Sequence, residues 1–136
     1  MAGAPLDALE RVPLFAGLDP AELEQVARLF KRRHFSEVET IIRDLSDVAA
    51  FFLIESGEAR VSVRGAARDN LRAGDHFGEI ALIDEGVRSA TIVALTDLDC
   101  YGLTYWEFRP LLLENGGIAL KLLQSLATKL RSAESA

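Results

Sequence analysis

The sequence predicts an α+β fold in which a block of short strands lies between N-terminal and C-terminal helices. Capping and helical-periodicity patterns occur near both ends of the chain, whereas residues 35–103 alternate short β-branched or aromatic segments with turn-like residues. At 136 residues the chain has the size of one domain. We therefore expect a single domain over residues 1–136, with helices in residues 6–34, strands in 35–103 and helices again in 104–132.

The N-terminal segment contains a helix start at Asp19. Asp19 can cap the helix, Pro20 suits its first position, and Glu22 completes a capping box. An apolar stripe at helical spacing follows, formed by Leu23, Val26, Ala27 and Phe30. We expect this helix to end near Lys31, because the basic run at residues 31–34 would place favourable cations at a helix C-terminus.

The central block contains several strand-like segments. In one of them, Ala59, Val61 and Val63 alternate with polar residues, which is the period of a strand with one buried face. Short strands so closely spaced predict a sandwich, a barrel or a roll. The predicted strands are residues 39–42, 51–54, 59–64, 90–95 and 98–103.

The C-terminal segment predicts further helices. Thr104 and Glu107 form a second capping-box pattern, and Pro110 predicts a kink or two short helical pieces. The Asn-Gly-Gly sequence at 115–117 breaks the chain before a final helix over residues 118 to about 131. That helix carries a sustained apolar face, which fits a lid, a core face or a dimer seam. The face consists of Ile118, Leu122, Leu123, Leu126, Ala127 and Leu130.

Composition argues against several functional classes. The formal net charge of −6 disfavours nucleic acid as a partner, since phosphate contacts dominate that affinity. A single cysteine, Cys100, forms no internal disulfide and lies in a strand-like stretch that predicts a buried core position. The two histidines, His34 and His76, are too isolated in sequence to predict a metal site.

Targeting and catalytic signals are also missing from the sequence. The N-terminus lacks the pattern of a signal peptide, and no apolar stretch approaches membrane-spanning length, so we expect a cytoplasmic protein without a membrane partner. No Walker-type glycine loop, supported Ser-His-Asp order or paired-metal ligand set is present. We therefore expect a binding protein and not an enzyme.

The most informative stretch is residues 74–91. A short helical piece opening at Gly78 would present backbone N–H groups to an anion, and Arg88 could return as a planar donor to a phosphate. Glu79 beside an anion is unfavourable unless it accepts hydrogen bonds from neutral hydroxyls, such as those of a sugar. A carboxylate, backbone N–H groups and an arginine together indicate a nucleotide pocket.

At this point the sequence closely resembles the cyclic-nucleotide-binding domain family, the sensor module of catabolite-activator-type regulators, cyclic-nucleotide-dependent kinases and gated channels. Residues 77–82 (FGEIAL) and 88–91 (RSAT) match that family's phosphate-binding cassette in residue types and spacing. Residues 51–58 and 71–75 are typical of its β-roll, and the resemblance extends from about Leu14 to about Leu130.

The resemblance implies an antiparallel β-roll, of the double-stranded β-helix or jelly-roll kind, flanked by N-terminal helices and a C-terminal lid helix. It implies cyclic AMP or cyclic GMP as the ligand, with cyclic AMP preferred, and signalling by movement of the C-terminal helix. Glu79 would accept the ribose 2′-hydroxyl, and Arg88 would pair with the cyclic phosphate. The other implied ligand contacts are backbone at Gly78, Ile80 and Ala81, the hydroxyl of Ser89, and base or lid contacts from Thr128 and Arg131.

Two positions depart from the family pattern. Val38 and Leu45 stand where the family usually has glycine in tight turns, so the local roll geometry is expected to be strained or rebuilt. The alternative hypothesis is therefore a ligand-silent β-roll that acts as a scaffold or protein-interaction module. In either case the regulated partner is a separate protein or effector domain, and a homodimer through the C-terminal helix stays open. No cofactor other than the nucleotide ligand is implied.

Overall fold

The computed structural model describes residues 3–42, 50–83 and 90–135. It confirms the α+β prediction, with helices at both ends and a β-roll between them. None of the described helices combines the length and hydrophobicity that crossing a bilayer requires. The elements are α1 (Leu6–Glu10), a 3₁₀ helix (Pro13–Phe15), α2 (Pro20–Ala27), β1 (Lys31–Phe35), β2 (Thr40–Ile42), β3 (Ala50–Ser56), β4 (Ala59–Val63), β5 (Ala66–Ala67), β6 (His76–Phe77), a second 3₁₀ helix (Glu79–Leu82), β7 (Ala90–Ala94), β8 (Leu98–Thr104), α3 (Tyr105–Glu114) and α4 (Gly116–Ser135).

The strands form two four-stranded sheets with antiparallel pairing. The first sheet has the order β1-β8-β3-β6, and the second has the order β2-β7-β4-β5. All five predicted strand segments are strands in the structure, as β2, β3, β4, β7 and β8. The first sheet is a middle layer, because the helices pack on one of its faces and the second sheet packs on the other.

Strand β3 contributes to the apolar clusters on both sides of this middle layer. Phe51 and Leu53 belong to the cluster shared with the helices, whereas Phe52 and Ile54 belong to the cluster between the two sheets. Successive side chains of a strand point to opposite faces, so an uninterrupted apolar run is the pattern expected of a strand buried on both. Phe51 is additionally fixed by an edge-on contact with Phe30, with ring centroids 5.6 Å apart.

A close approach between β3 and β8 depends on a glycine. Gly102 is paired with Phe52, and a Cβ atom at Gly102 would lie 3.2 Å from the Phe52 ring. Any other residue type at position 102 would therefore place its Cβ atom too close to the ring of Phe52.

The helix ends are capped as the sequence predicts. Asp19 accepts a hydrogen bond from the Glu22 backbone N–H at 2.8 Å, and the Glu22 side chain accepts from the Asp19 backbone at 3.0 Å. Thr104 and Glu107 form the equivalent box at the start of α3. A third cap was not predicted: Asn115 accepts from the Ile118 backbone N–H at 3.1 Å, and so opens α4 immediately after α3 ends.

The prediction that residues 31–34 close a helix was wrong. Helix α2 ends at Ala27, and these residues form β1, so the N-terminal helical segment ends before residue 31. Cross-strand partners explain the strand. Arg32 lies opposite Tyr101 in β8 and forms an ion pair with Glu55, while His34 lies opposite Asp99 with 2.9 Å between His34 Nδ1 and Asp99 Oδ1. Such pairs stabilise a strand whose own sequence shows no alternation.

Of the two outcomes predicted for Pro110, a kink or two short helical pieces, the second was wrong. Helix α3 runs without interruption from Tyr105 to Glu114, with Pro110 inside it. Proline removes a single backbone donor in the helix interior. In α3 that loss is offset by the Thr104 cap and by Phe108, which is completely buried against the core.

Candidate nucleotide-binding site

The first part of the cassette is held between a strand and the helical core. Phe77 in β6 pairs with Phe52 of β3, and the chain then turns at Gly78, whose φ is +88°. This left-handed conformation favours glycine and leads directly into the 3₁₀ helix Glu79–Leu82. Leu82 closes the segment by burying its side chain completely in the cluster formed with the helices. The short helical piece predicted to open at Gly78 is therefore present.

Glu79 lies where three parts of the chain meet. Its side chain is only 12% exposed. Its Oε2 accepts a hydrogen bond from the backbone N–H of Leu14, in the first 3₁₀ helix, at 3.3 Å. Its Oε1 lies 3.4 Å from Nζ of Lys129 in α4. The carboxylate thus links the N-terminal helices, the cassette and the C-terminal helix.

The carboxylate of Glu79 has acceptor capacity beyond these two contacts. Two carboxylate oxygens offer about four lone-pair positions, and an ionised carboxylate donates nothing. A neutral hydroxyl is therefore a suitable additional partner, whereas an anion placed directly against Glu79 would be repelled. The 3₁₀ turn that follows contains Ile80 and Ala81, and the leading N–H groups of such a turn are the ones that an anionic group can use.

The second part of the cassette falls outside the described residues. Arg88 and Ser89 lie in the segment 84–89, so their predicted contacts with the cyclic phosphate stay predictions.

Thr128 and Arg131 are both in α4, and both are exposed. Thr128 donates its hydroxyl hydrogen bond to the Gln124 carbonyl of its own helix at 3.1 Å. The base or lid contacts assigned to Thr128 and Arg131 also stay predictions.

Lys129 is the α4 residue that contacts Glu79, and sequence reasoning missed it. A signal was available, because Lys121, Ser125 and Lys129 recur every four residues and so share one face of the helix. Lys121 contacts the N-terminal helices in the same way, with its Nζ 2.5 Å from Oε1 of Glu22. The hydrogen bond to Glu22 raises the pKa of Lys121 and keeps it charged. Two lysines of α4, eight residues apart, therefore form ion pairs with other parts of the fold.

The interior of the roll is apolar where it is described. A cavity between the two sheets is lined by side chains from both of them, including Phe77 next to the cassette turn. Cys100 is part of this lining, and burial raises the pKa of its thiol to about 12. The thiol is neutral at ordinary pH, so the prediction that Cys100 is a core residue is confirmed. The remaining lining residues are Ile41, Phe52, Ile54, Leu71, Ile92 and Leu98.

Val38 keeps the backbone conformation for which the family usually uses glycine. Its φ is +64° and its side chain is 76% exposed. The turn is closed by a hydrogen bond from the Glu39 N–H to the Ser36 carbonyl at 2.9 Å, and the Val38 N–H donates to the Ala94 carbonyl at 2.8 Å. The turn is therefore strained and not rebuilt. Leu45, the second departure, lies outside the described residues.

Comparison with known proteins shows the family. The sequence model of the cyclic nucleotide-binding domain matches residues 32–115. The chain is 38% identical over 107 residues to the cAMP-dependent protein kinase regulatory subunit of Aspergillus fumigatus, and 33% identical over 127 residues to the cyclic AMP receptor protein of Thermus thermophilus. These matches cover 76% and 90% of this chain. The chain therefore belongs to the cyclic nucleotide-binding domain family.

Solved structures show the same fold. The N-terminal domain of a transcriptional regulator from Streptomyces coelicolor superposes with a TM-score of 0.87 over 96% of each chain, at 24% identity. The Thermus thermophilus catabolite activator protein superposes with a TM-score of 0.67 at 33% identity, over 90% of this chain and 60% of that one. The chain spans 26% of the length of the Aspergillus subunit and 59% of the Thermus receptor protein.

Proposed function

We propose that this chain is a regulatory domain that binds cyclic AMP and has no catalytic activity of its own. The observation that carries the proposal is the position of Glu79, a largely buried carboxylate directly after the left-handed Gly78 and at the start of a 3₁₀ turn. A carboxylate there can receive a ribose hydroxyl while the turn and Arg88 receive the phosphate. The names of the Aspergillus and Thermus relatives both refer to cyclic AMP, which supports this nucleotide as the ligand.

The proposed contacts follow the family pattern onto this chain. Glu79 accepts the 2′-hydroxyl, and Arg88 forms a charge-assisted pair with the cyclic phosphate. The remaining ligand contacts are weaker or provided by backbone groups. They are proposed for Gly78, Ile80, Ala81, Ser89, Thr128 and Arg131.

The proposed output is the position of α4. A ligand shifts an equilibrium between two helix positions only through its different affinity for each, and Glu79 already connects the cassette to α4. A separate polypeptide or effector domain in the cytoplasm would respond to that shift.

The exposed face of α4 is proposed to pair with a second copy of this chain. Leu120, Leu123, Ala127 and Leu130 are all exposed and repeat at alternating spacings of three and four. This spacing is the heptad pattern by which one helix packs along another. A homodimer along α4 would bury leucines that otherwise face water.

Titration calorimetry with cyclic AMP and cyclic GMP tests the binding proposal. We expect saturable binding in the micromolar range with cyclic AMP preferred, and a loss of about 10- to 100-fold in affinity for Arg88→Ala, because the variant removes a charge-assisted contact. The matched control is Arg109→Ala, since Arg109 is an exposed arginine on α3.

Two different results would contradict this proposal, one about the choice of nucleotide and one about binding itself. A clear preference for cyclic GMP would overturn the choice of nucleotide. No heat and no rise in melting temperature with millimolar amounts of either nucleotide would favour the alternative, a ligand-silent β-roll that acts as a scaffold, because any ligand of the native state must raise that temperature.

A further inference from the structure

The first 3₁₀ helix, Pro13–Phe15, begins without a cap of its own. Val12 stands at its N-cap position and its side chain accepts no hydrogen bond, while Pro13 has no backbone N–H to donate. The first donor of this helix is therefore the N–H of Leu14. The start of a helix leaves such donors without an intrahelical partner, and a donor that is buried needs an acceptor from elsewhere in the fold.

The acceptor for this N–H is the side chain of Glu79, which lies 65 positions further along the chain. Oε2 of Glu79 accepts the hydrogen bond from Leu14 at 3.3 Å. The next N–H of the turn, that of Phe15, donates locally to the Val12 carbonyl at 2.9 Å. Glu79 thus takes the place of the missing capping residue.

The position of the Leu14 N–H is fixed by the apolar core. The side chains of Val12, Leu14 and Phe15 are all buried. The ring of Phe15 makes edge-on contacts with Phe51 and Phe108, at centroid distances of 6.2 Å and 6.3 Å. The donor therefore meets the carboxylate from a rigid part of the molecule.

A carboxylate held at one oxygen presents the other oxygen in a defined direction. Oε1 of Glu79 lies 3.4 Å from Nζ of Lys129. Each carboxylate oxygen offers about two lone-pair positions, so Oε1 can accept a hydroxyl in addition to the lysine. Without the Leu14 N–H the terminal torsion of Glu79 would have only its broad intrinsic preference, and ligand binding would have to order it.

We propose that the backbone N–H of Leu14 is a positioning group of the ligand site, which orients Glu79 for the ribose 2′-hydroxyl. This inference rests on the proposed function and deepens it, because the N-terminal helical segment becomes a part of the site. Leu14 lies outside residues 32–115, the part of the chain that the family model matches. It acts on the nucleotide only through Glu79.

The test removes this single N–H from the full chain. Semisynthesis can replace the peptide bond that precedes Leu14 by an ester, which keeps the leucine side chain and puts an oxygen in place of the N–H. The matched control carries the same ester at Phe15, whose N–H is bonded to Val12 and not to Glu79. Both chains lose one hydrogen bond of the same short helix, so we expect them to lose similar stability.

Titration calorimetry with cyclic AMP and with 2′-deoxy cyclic AMP gives the specific readout. Wild type should prefer cyclic AMP by roughly 10- to 100-fold, because only this ligand has the hydroxyl that Glu79 receives. The ester at Leu14 should reduce this preference by about two- to tenfold, the range that ordering one side chain costs, and should leave the affinity for the deoxy ligand unchanged. The ester at Phe15 should keep the full preference. A merely structural role of Leu14 would weaken both ligands alike.

Hydrogen exchange of single amides, followed by NMR, measures the cap without any ligand. The Leu14 amide should be protected in wild type and should exchange several-fold faster in Glu79→Ala, because the variant removes its acceptor. The Phe15 amide is the internal control and should change less, since its acceptor is retained.

The possible failures point to different conclusions. If wild type distinguishes the two nucleotides and the ester at Leu14 distinguishes them equally well, the positioning role is refuted while the proposed function stands. If the exchange of the Leu14 amide is the same in Glu79→Ala, the cap is refuted. If wild type binds both nucleotides equally, Glu79 does not receive the 2′-hydroxyl and the positioning role is refuted with that contact. If wild type binds neither, the proposed function fails and the inference fails with it.

Discussion

The ammonium group of Lys121 lies 2.5 Å from Oε1 of Glu22, the same oxygen that accepts the backbone N–H of Asp19 at the start of α2. One carboxylate oxygen therefore caps a helix near the N-terminus and anchors the last helix of the chain. Residues 22 and 121 are far apart in sequence, so this oxygen joins the two ends of the fold.

Variants of this pair should separate the two roles of Glu22. Glu22→Gln keeps an oxygen that can reach the Asp19 N–H but loses the charge, so it and Lys121→Ala should lower the melting temperature by similar amounts. The double variant should be no less stable than either single one. Glu22→Ala also loses the cap and should cost about 1 kcal/mol more. Additive losses in the double variant, measured by thermal unfolding, would show that the two residues are not coupled.

Val38→Gly should stabilise the protein. A β-branched residue at φ +64° stores strain of about 1–3 kcal/mol, and the entropy that glycine loses on folding offsets only part of it. We expect a net gain of about 1 kcal/mol in the free energy of unfolding from denaturant titration. Val38→Ala keeps the Cβ atom and serves as the control, with little gain. A less stable glycine variant would mean that the exposed valine makes contacts worth more than the strain.

Leu82→Ala should weaken both the fold and the cassette. Leu82 is fully buried and closes the 3₁₀ turn that begins with Glu79, so its truncation should cost about 3 kcal/mol through lost burial and the cavity left behind. Affinity for cyclic AMP should fall as well, because the turn loses its anchor. Leu113→Ala, at a position 69% exposed, should change stability by no more than about 0.5 kcal/mol. Unchanged unfolding of Leu82→Ala would contradict its burial.

The pair of His34 and Asp99 should make stability depend on pH. The hydrogen bond that His34 donates to the Asp99 carboxylate raises the pKa of His34 and lowers the pKa of Asp99. A raised histidine pKa contributes stability that is present below its unfolded value and lost as the pH rises through the folded value. The melting temperature of wild type should therefore fall as the pH rises above about 6.5, the ordinary pKa of histidine. His34→Gln should lack this part of the fall, and an identical profile for the variant would assign it to other groups.

Leu123→Lys should abolish self-association along α4. Leu123 is 60% exposed and sits within the heptad-spaced leucines, so a charge there would be buried in the proposed dimer. Sedimentation should show a concentration-dependent dimer for wild type and a monomer for the variant. The melting temperature of the dilute variant should be unchanged. A wild type that stays monomeric at high micromolar concentration would refute the dimer.

Much of the fold could be predicted because its signals are local. The capping box at Asp19 and Glu22 depends on residues three apart, and the alternation in residues 59–63 depends on residues two apart. Strand β1 could not be predicted this way. Its residues are mostly exposed and carry like charges, and what makes them a strand is pairing with residues of β8 more than sixty positions away.

The candidate site could be predicted in part. Gly78 and Glu79 are recognisable because a left-handed turn and a carboxylate are requirements of residue type at fixed spacing. Lys129 was not recognised, because its role depends on how α4 lies across the cassette. A helix pattern shows which residues share a face, but it does not show which distant carboxylate that face meets.

The double burial of β3 has a consequence for how its register is specified. In a strand with one solvent-exposed face, a register shift of one residue would move the apolar side chains to that face. Exposing them to water costs free energy, so the correct register is favoured. The run Ala50–Ile54 is apolar on both faces, so polarity does not distinguish the correct alignment from its neighbour. The fit of the Phe52 ring over Gly102 does distinguish it, since a shifted partner would bring a Cβ atom against the ring. Shape, and not hydrophobicity, therefore encodes the alignment of the strand at the centre of this molecule.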